Sequence, residues 1–142
     1  MPTSRLVFDD KERVGSWVAE RVEFFSPWGG YYAMGAELKG ELVCGVVVQS
    51  WTGTNAIAHL AVSKPTKLLP ELFDHTVVYV FKQMGLKRLT VFVDADNEKS
   101  LKLTSHLGFV DEAILEAAGD GGVDIHVRVL WPENYRRGKR HG

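Results

Sequence analysis

VFVDADNEKSLKLTSHLGF, from Val91 to Phe109, reads as a buried strand, an acidic-Asn corner, one short helix and a Gly-Phe exit into another strand. Val91, Phe92 and Val93 form a β-branched and aromatic run suited to a strand covered on both faces. Asp96 or Asn97 can cap the helix that follows, because a short side-chain oxygen accepts a bond from an otherwise orphan backbone N–H. Gly108 can end that helix in a left-handed conformation, which delivers Phe109 to the core. Alternation and capping account for Asp94 and Asp96 without a catalytic carboxylate pair.

Upstream, Leu6 to Phe8 forms a short strand. Val14, Trp17, Val18, Val22 and Phe25 then recur at helical spacing between Asp9 and Phe25. Ser26-Pro27-Trp28-Gly29-Gly30 breaks this helix into an aromatic loop. Tyr31 to Leu38 and Glu41 to Trp51 read as two strands joined by a tight turn at Lys39-Gly40. The second carries Leu42 to Val48 without alternation, as a central strand covered on both faces does. Ala56 to Val62 is the next strand, followed by the polar loop Ser63 to Lys67 and a helix opened by Pro70. Phe73, Val77, Val80, Phe81 and Met84 mark that helix's buried stripe, and Gly85 stops it before the strand Leu89 to Val93. Strand, helix and strand of these lengths imply a right-handed parallel crossover. Phe109 to Ala117 and Val123 to Trp131 flank Gly119-Asp120-Gly121-Gly122 as a hairpin. In its second arm Val123, Ile125, Val127, Val129 and Trp131 face inward, with Asp124, His126 and Arg128 outward.

Composition bounds the function. A chain of 142 residues, 45% of them hydrophobic, makes one domain with a sizeable core: residues 1–132, then a basic tail over 133–142. A formal charge of −1 gives no global attraction to nucleic acid or to an anionic membrane, and the four basic residues Arg136, Arg137, Lys139 and Arg140 give only a salt-sensitive contact. No apolar run approaches the roughly 20 residues that span a bilayer. The start MPTSRLVFDD lacks the form of a signal peptide, so a soluble, cytoplasmic domain is expected. Cys44 is the one cysteine and lies in LVCGVVV, which excludes a disulfide framework and makes a poor nucleophile. No His, Cys, Asp or Glu pair has metal-ligand spacing.

The spacing Asn97-x-x-Ser100-x-x-x-Thr104-x-x-x-Gly108-Phe109 resembles the C-terminal half of the GNAT-type N-acetyltransferases, where the Asn lies at the cofactor and the Gly-Phe closes the helix. The order β-α-β-β-β-α-β-α-β-β extends this likeness over nearly the whole chain. Trp51-Thr52-Gly53, Ala58-His59-Leu60-Ala61, Thr66-Lys67 and Tyr79-x-Phe81-x-Gln83-x-Gly85 look like a variant subgroup of phages and bacteria. The resemblance implies an α/β single-domain GNAT-type acyltransferase fold, a twisted mixed sheet flanked by helices. It also implies acetyl-CoA as co-substrate, seated between the strands ending at Val62 and Val93. Its pantetheine arm would bond the backbone of Leu60, Ala61 and Val62, its phosphates would meet Thr66, Lys67 and Leu68, and Asn97, Ser100 and Thr104 would add contacts. Relatives carry an Arg/Gln-x-x-Gly-x-Gly/Ala run in the phosphate loop, whereas Lys64-Pro65-Thr66-Lys67-Leu68-Leu69 has no glycine. Many also carry a Tyr general acid where this chain has Thr104, leaving water, His106 or another group to protonate the thiolate.

His59, within the apolar NAIAHLAV, is the catalytic candidate, since a near-neutral imidazole can take a proton from an ammonium; a satisfied core histidine is the alternative. Trp28, Tyr31 and Tyr32 either line an acceptor pocket or pack over the core. The expected activity is acetyl-CoA-dependent N-acetyl transfer, by direct attack, to an amine on a small molecule or peptide, with a homodimer as one assembly. The alternative is a non-enzymatic GNAT-fold binding or regulatory protein derived from a phage.

Overall fold

The computed structural model describes residues 4–22 and 28–136; Phe25, the Ser26-Pro27 break and the tail from Arg137 onward lie outside the described residues. In chain order the elements are β1 Ser4–Val7, α1 Lys11–Arg21, β2 Tyr31–Leu38, β3 Glu41–Gln49 and β4 Asn55–Val62. They continue with α2 Leu68–Val78, β5 Arg88–Asp94, α3 Glu98–Leu107, β6 Val110–Leu115 and β7 Ile125–Leu130. The strands form one mixed seven-stranded sheet in the order β1-β2-β3-β4-β5-β7-β6. All pairings are antiparallel except β4 with β5, the crossover bridged by α2.

The local chemistry explains these elements. Asp10 caps α1 by accepting from the Arg13 N–H, and Val14 and Val18 lie one turn apart on its buried face. Lys39 and Gly40 both take positive φ (53° and 82°), the conformation of a two-residue hairpin turn. All of β3 beyond Glu41 is buried, as its unbroken apolar run predicts. Helix α1 lies against one face, where a Cβ on Gly45 would stand 2.8 Å from Val18 Cγ2. There Val7, Val14, Val18, Val47 and Ala61 form one core. On the opposite face, Leu72, Phe73 and Val80 of the α2 segment join Ala58, Val91 and Leu107 in a larger one.

The helix after β4 departs from the expected stripe. It passes into a π turn at Tyr79–Gln83, and its buried positions are Leu72, Phe73, Thr76 and Val80, while Val77, Phe81 and Met84 are only partly covered. The π turn shifts the face that an uninterrupted 3.6-residue period would have continued. Two further corrections concern the sheet. Phe92 is 47% exposed rather than covered on both faces. Arg128 is 9% exposed rather than outward in solvent. Both have one cause: α3 covers the face of β7 that carries Arg128, and no described helix covers the opposite face at Phe92. Beyond β7 the chain stays on the domain, with the Arg136 N–H donating to the Leu107 carbonyl (3.0 Å) and the Tyr135 hydroxyl to Asp74.

Candidate active site

Strands β4 and β5 pair only through Asn55, Ile57 and the residue between them, opposite Arg88 to Thr90, and then separate. From Ala58 to Val62 the edge of β4 that faces β5 has no strand partner, and a cavity of about 740 Å³ occupies the gap. Successive strand residues point to opposite faces. Even so, all of Ala58 to Val62 and all of Val91 to Asp94 line this one cavity. Arg21 and Val22 reach it from the α1 face, and Leu69, Phe73 and Leu103 from the α2/α3 face. The cavity therefore has walls from both sides of the sheet.

The cavity gathers most of the residues singled out from the sequence. His59, Leu60, Ala61, Val62, Asn97, Ser100 and Thr104 line it. Thr66, Lys67 and Leu68 are not on its wall; the loop contributes Ser63, Lys64 and Pro65 instead. The Thr66 hydroxyl accepts from the Leu68 N–H (3.1 Å), so this pair closes the start of α2 on itself. Asn97 caps α3 by accepting from the Ser100 N–H (3.2 Å). Gly108, at φ 112°, ends that helix as expected.

The Thr104 hydroxyl has its one proton committed within α3. It donates to the Ser100 carbonyl (2.7 Å) and accepts from Arg128 Nη1 (2.9 Å). Arg128 also reaches the Leu101 carbonyl, Ser105 Oγ and Asp111, fastening α3 to the sheet. Burial acts to raise the Asp111 pKa, but His126 and the Arg128 guanidinium outweigh it and hold the carboxyl below its ordinary value.

His59 lies on the α1 face of β4, opposite Val47, and half-buried. The Gln49 amide nitrogen stands 2.8 Å from its Nε2, and the Trp28 ring centroid 4.9 Å from its own. Burial pushes the imidazole pKa down, so the ring is neutral at neutral pH. With the amide donating to Nε2, the ring proton sits on Nδ1; with the amide turned over, Nε2 carries it and Nδ1 is the basic nitrogen. The buried Gln49 side chain is thus one partner that bears on which nitrogen is basic. The other aromatic candidates divide between the faces: Trp28 donates to the Gly15 carbonyl and Tyr31 packs over Gly15, whereas Tyr32 stacks on Trp51 and meets Tyr79 edge-on. None of the three lines the cavity.

The structure adds Phe92, Lys99, Asp120 and Arg21 to the site. Lys99 has a local sequence signal, standing two residues beyond Asn97 in the first turn of α3. Asp120 and Arg21 carry no local signal, because chain topology alone brings the 119–122 turn and the end of α1 to the gap.

No protein-family model matches the sequence, and no curated protein matches it. Solved structures do. A dodecameric spermidine N-acetyltransferase of Vibrio cholerae is similar with a TM-score of 0.73 at 13% identity, over 99% of both chains. YncA of Salmonella typhimurium, described as an acetyltransferase and solved with its cofactor acetyl-CoA, gives 0.70 at 14% identity over 92% of this chain and 95% of that one. A ribosomal-protein alanine N-acetyltransferase of Escherichia coli gives 0.69 at 18% identity over 90% and 93%. With its splayed parallel pair, its seven-stranded mixed sheet and these likenesses, the chain has the fold of the GNAT acetyltransferases.

Proposed function

We propose that the protein is an acetyl-CoA-dependent N-acetyltransferase that transfers its acetyl group directly to an amine. The observation that carries this reading is the cavity in the gap where β4 and β5 part, lined from the α2/α3 face on one side and from the α1 face on the other. A thioester donor and an amine acceptor can enter such a cavity from opposite sides and meet within it.

The site fits the acyl and pantetheine parts of the donor. The unpaired edge of β4 at Leu60 to Val62 offers backbone N–H and C=O groups to an extended, amide-containing arm, in the manner of an added strand. Val91, Leu103 and Leu107 supply apolar walls that exclude water. When bound, acetyl-CoA supplies an activated carbonyl. The neutral amine attacks that carbon, the carbon–sulfur bond breaks with its electron pair leaving on sulfur, and the amine's extra proton is lost. In this reading His59, which lines the cavity and contacts Gln49, takes that proton directly or through water. Thr104 does not protonate the thiolate, its hydroxyl hydrogen being committed to Ser100, which leaves that proton to water or to another group. A covalent intermediate on Cys44 has no support: the thiol is fully buried and its pKa pushed up to about 11.

The acceptor side carries Arg21, Asp94 and Asp120 around Phe92, a mixed-charge rim suited to an amine on a small molecule or peptide. Self-association is part of the reading, supported by the dodecameric spermidine acetyltransferase of the same fold. No described helix is long and apolar enough to cross a membrane.

Calorimetric titration of acetyl-CoA, followed by thiol release in the presence of an amine panel, tests the proposal. Binding and amine-dependent thiol release are expected. Failure to bind at millimolar acetyl-CoA would overturn it. Binding without turnover on any amine would favour a non-enzymatic module, the reading to which the committed Thr104 hydroxyl lends weight.

A further inference from the structure

A diphosphate is ordinarily held at the start of a helix by several converging backbone N–H groups. The segment between β4 and α2 has little of this to give. The Ser63 N–H donates to the Val43 carbonyl (2.8 Å), and Pro65 and Pro70 have none. Leu68 donates to the Thr66 hydroxyl (3.1 Å), and Leu69 to the Thr66 carbonyl (3.4 Å). Lys67 is already helical (φ −69°, ψ −15°) and its own side chain caps nothing, so the Thr66 hydroxyl makes the side-chain bond to the first turn of α2. Of the residues here whose N–H is not accounted for, Lys64 is on the cavity wall, whereas Thr66 and Lys67 are not.

Positive charge at the cavity comes from side chains instead. Lys64, from the loop after β4, and Lys99, from the first turn of α3, both line the cavity on separate elements that flank the β4–β5 gap. An ammonium on a flexible stem is a mobile point charge; it attracts one phosphate well but imposes none of the fixed geometry that distinguishes a diphosphate from a monophosphate. The apolar and backbone features that would take the pantetheine arm are meanwhile intact.

We infer that donor recognition ends at the first phosphate: Lys64 and Lys99 grip the phosphate next to the pantetheine arm, and the nucleotide beyond it adds little. The protein then takes 4′-phosphopantetheine thioesters as a class, with acetyl-CoA as one member. This rests on the proposed function, since it concerns the donor in the same cavity.

The test is calorimetry on the full chain with three thiols of decreasing length: coenzyme A, 4′-phosphopantetheine and pantetheine. The first two are expected to bind within tenfold of each other, and pantetheine about tenfold or more below them, the range of a lost charge-assisted contact. Lys64→Ala and Lys99→Ala should each weaken coenzyme A and 4′-phosphopantetheine together while leaving pantetheine unchanged. Thermal melting confirms that each variant is folded, as expected for lysines that cover no core. A 4′-phosphopantetheine affinity more than tenfold below that of coenzyme A would overturn the inference, as would lysine variants that bind all three thiols like the wild type. Either result leaves the acetyltransferase reading in place, whereas coenzyme A that fails to bind defeats both.

Discussion

Replacing Gly108 with Ala tests how the last five described residues hold the cavity wall. Gly108 ends α3 at φ 112° and ψ 3°, where a side chain costs about 1–2 kcal/mol. A Cβ there would also collide with the Asn134 carbonyl oxygen and stand 2.9 Å from the Asn134 carbonyl carbon. Both are backbone atoms, so the 132–136 segment must move as a unit. Its displacement breaks the Arg136–Leu107 hydrogen bond, about 1 kcal/mol. It also lifts Tyr135 from Asp74 and from the Phe73 ring 6.1 Å away, about 1–2 kcal/mol more. The sum is about 3–5 kcal/mol. For a chain of this size that corresponds to a Tm lower by roughly 10–20 °C. Urea unfolding and thermal melting read it directly. Gly108→Asn separates the two causes: Asn tolerates left-handed backbone but carries the same Cβ, so it should lose nearly as much as Ala. A loss below about 1 kcal/mol for Ala would show that the 132–136 segment is not held as described. Full recovery with Asn would show that backbone strain, and not the close approach, dominates. Leu107 and Phe109 flank Gly108 on the cavity wall, so donor affinity should fall alongside stability.

His59→Gln should lower turnover by about 10²–10⁴-fold with donor affinity little changed; a variant with unchanged turnover per folded molecule would make His59 a packing residue. The same substitution should alter acid sensitivity. Because burial holds the folded imidazole below its ordinary 6.5, wild-type stability declines as pH falls from about 6.5 towards the folded value, and the variant should lack that part of the decline in urea titrations. Thr104→Val should cost about 1–2 kcal/mol by removing the hydroxyl between Ser100 and Arg128. Its turnover per folded molecule should not change, and a large fall would show that the hydroxyl takes part in chemistry. Cys44→Ala should retain acetyl transfer, and Cys44 in the folded protein should resist thiol alkylation at neutral pH; mass spectrometry of an acetylated Cys44 would contradict direct transfer.

Elements whose signals are local were legible in the sequence. The Lys39-Gly40 turn, the unbroken apolar run of β3 and the Asn97 to Gly108 helix each depend on a few consecutive residues, and each stands where its chemistry puts it. The run around Phe92 misleads because aromatic and β-branched residues report strand propensity, not which faces are covered; its exposure follows from the parting of β4 and β5 and from where α1 stops. Arg128 misleads for the complementary reason. Alternation put it with the polar residues of β7, but α3 lies over that face, and its backbone carbonyl and hydroxyl groups satisfy the guanidinium. The phosphate loop shows a third kind of limit. The resemblance points to Thr66 and Lys67 as the phosphate contacts, yet neither lines the cavity, and the Thr66 oxygen accepts from the Leu68 N–H, while Lys64 and the distant Lys99 reach the cavity. Sequence position identifies which residues are near a site. Which of their polar atoms remain available depends on bonds the folded chain makes with itself: the Thr104 proton goes to the Ser100 carbonyl, the Thr66 oxygen accepts from the Leu68 N–H, and the Gln49 amide stands at His59 Nε2.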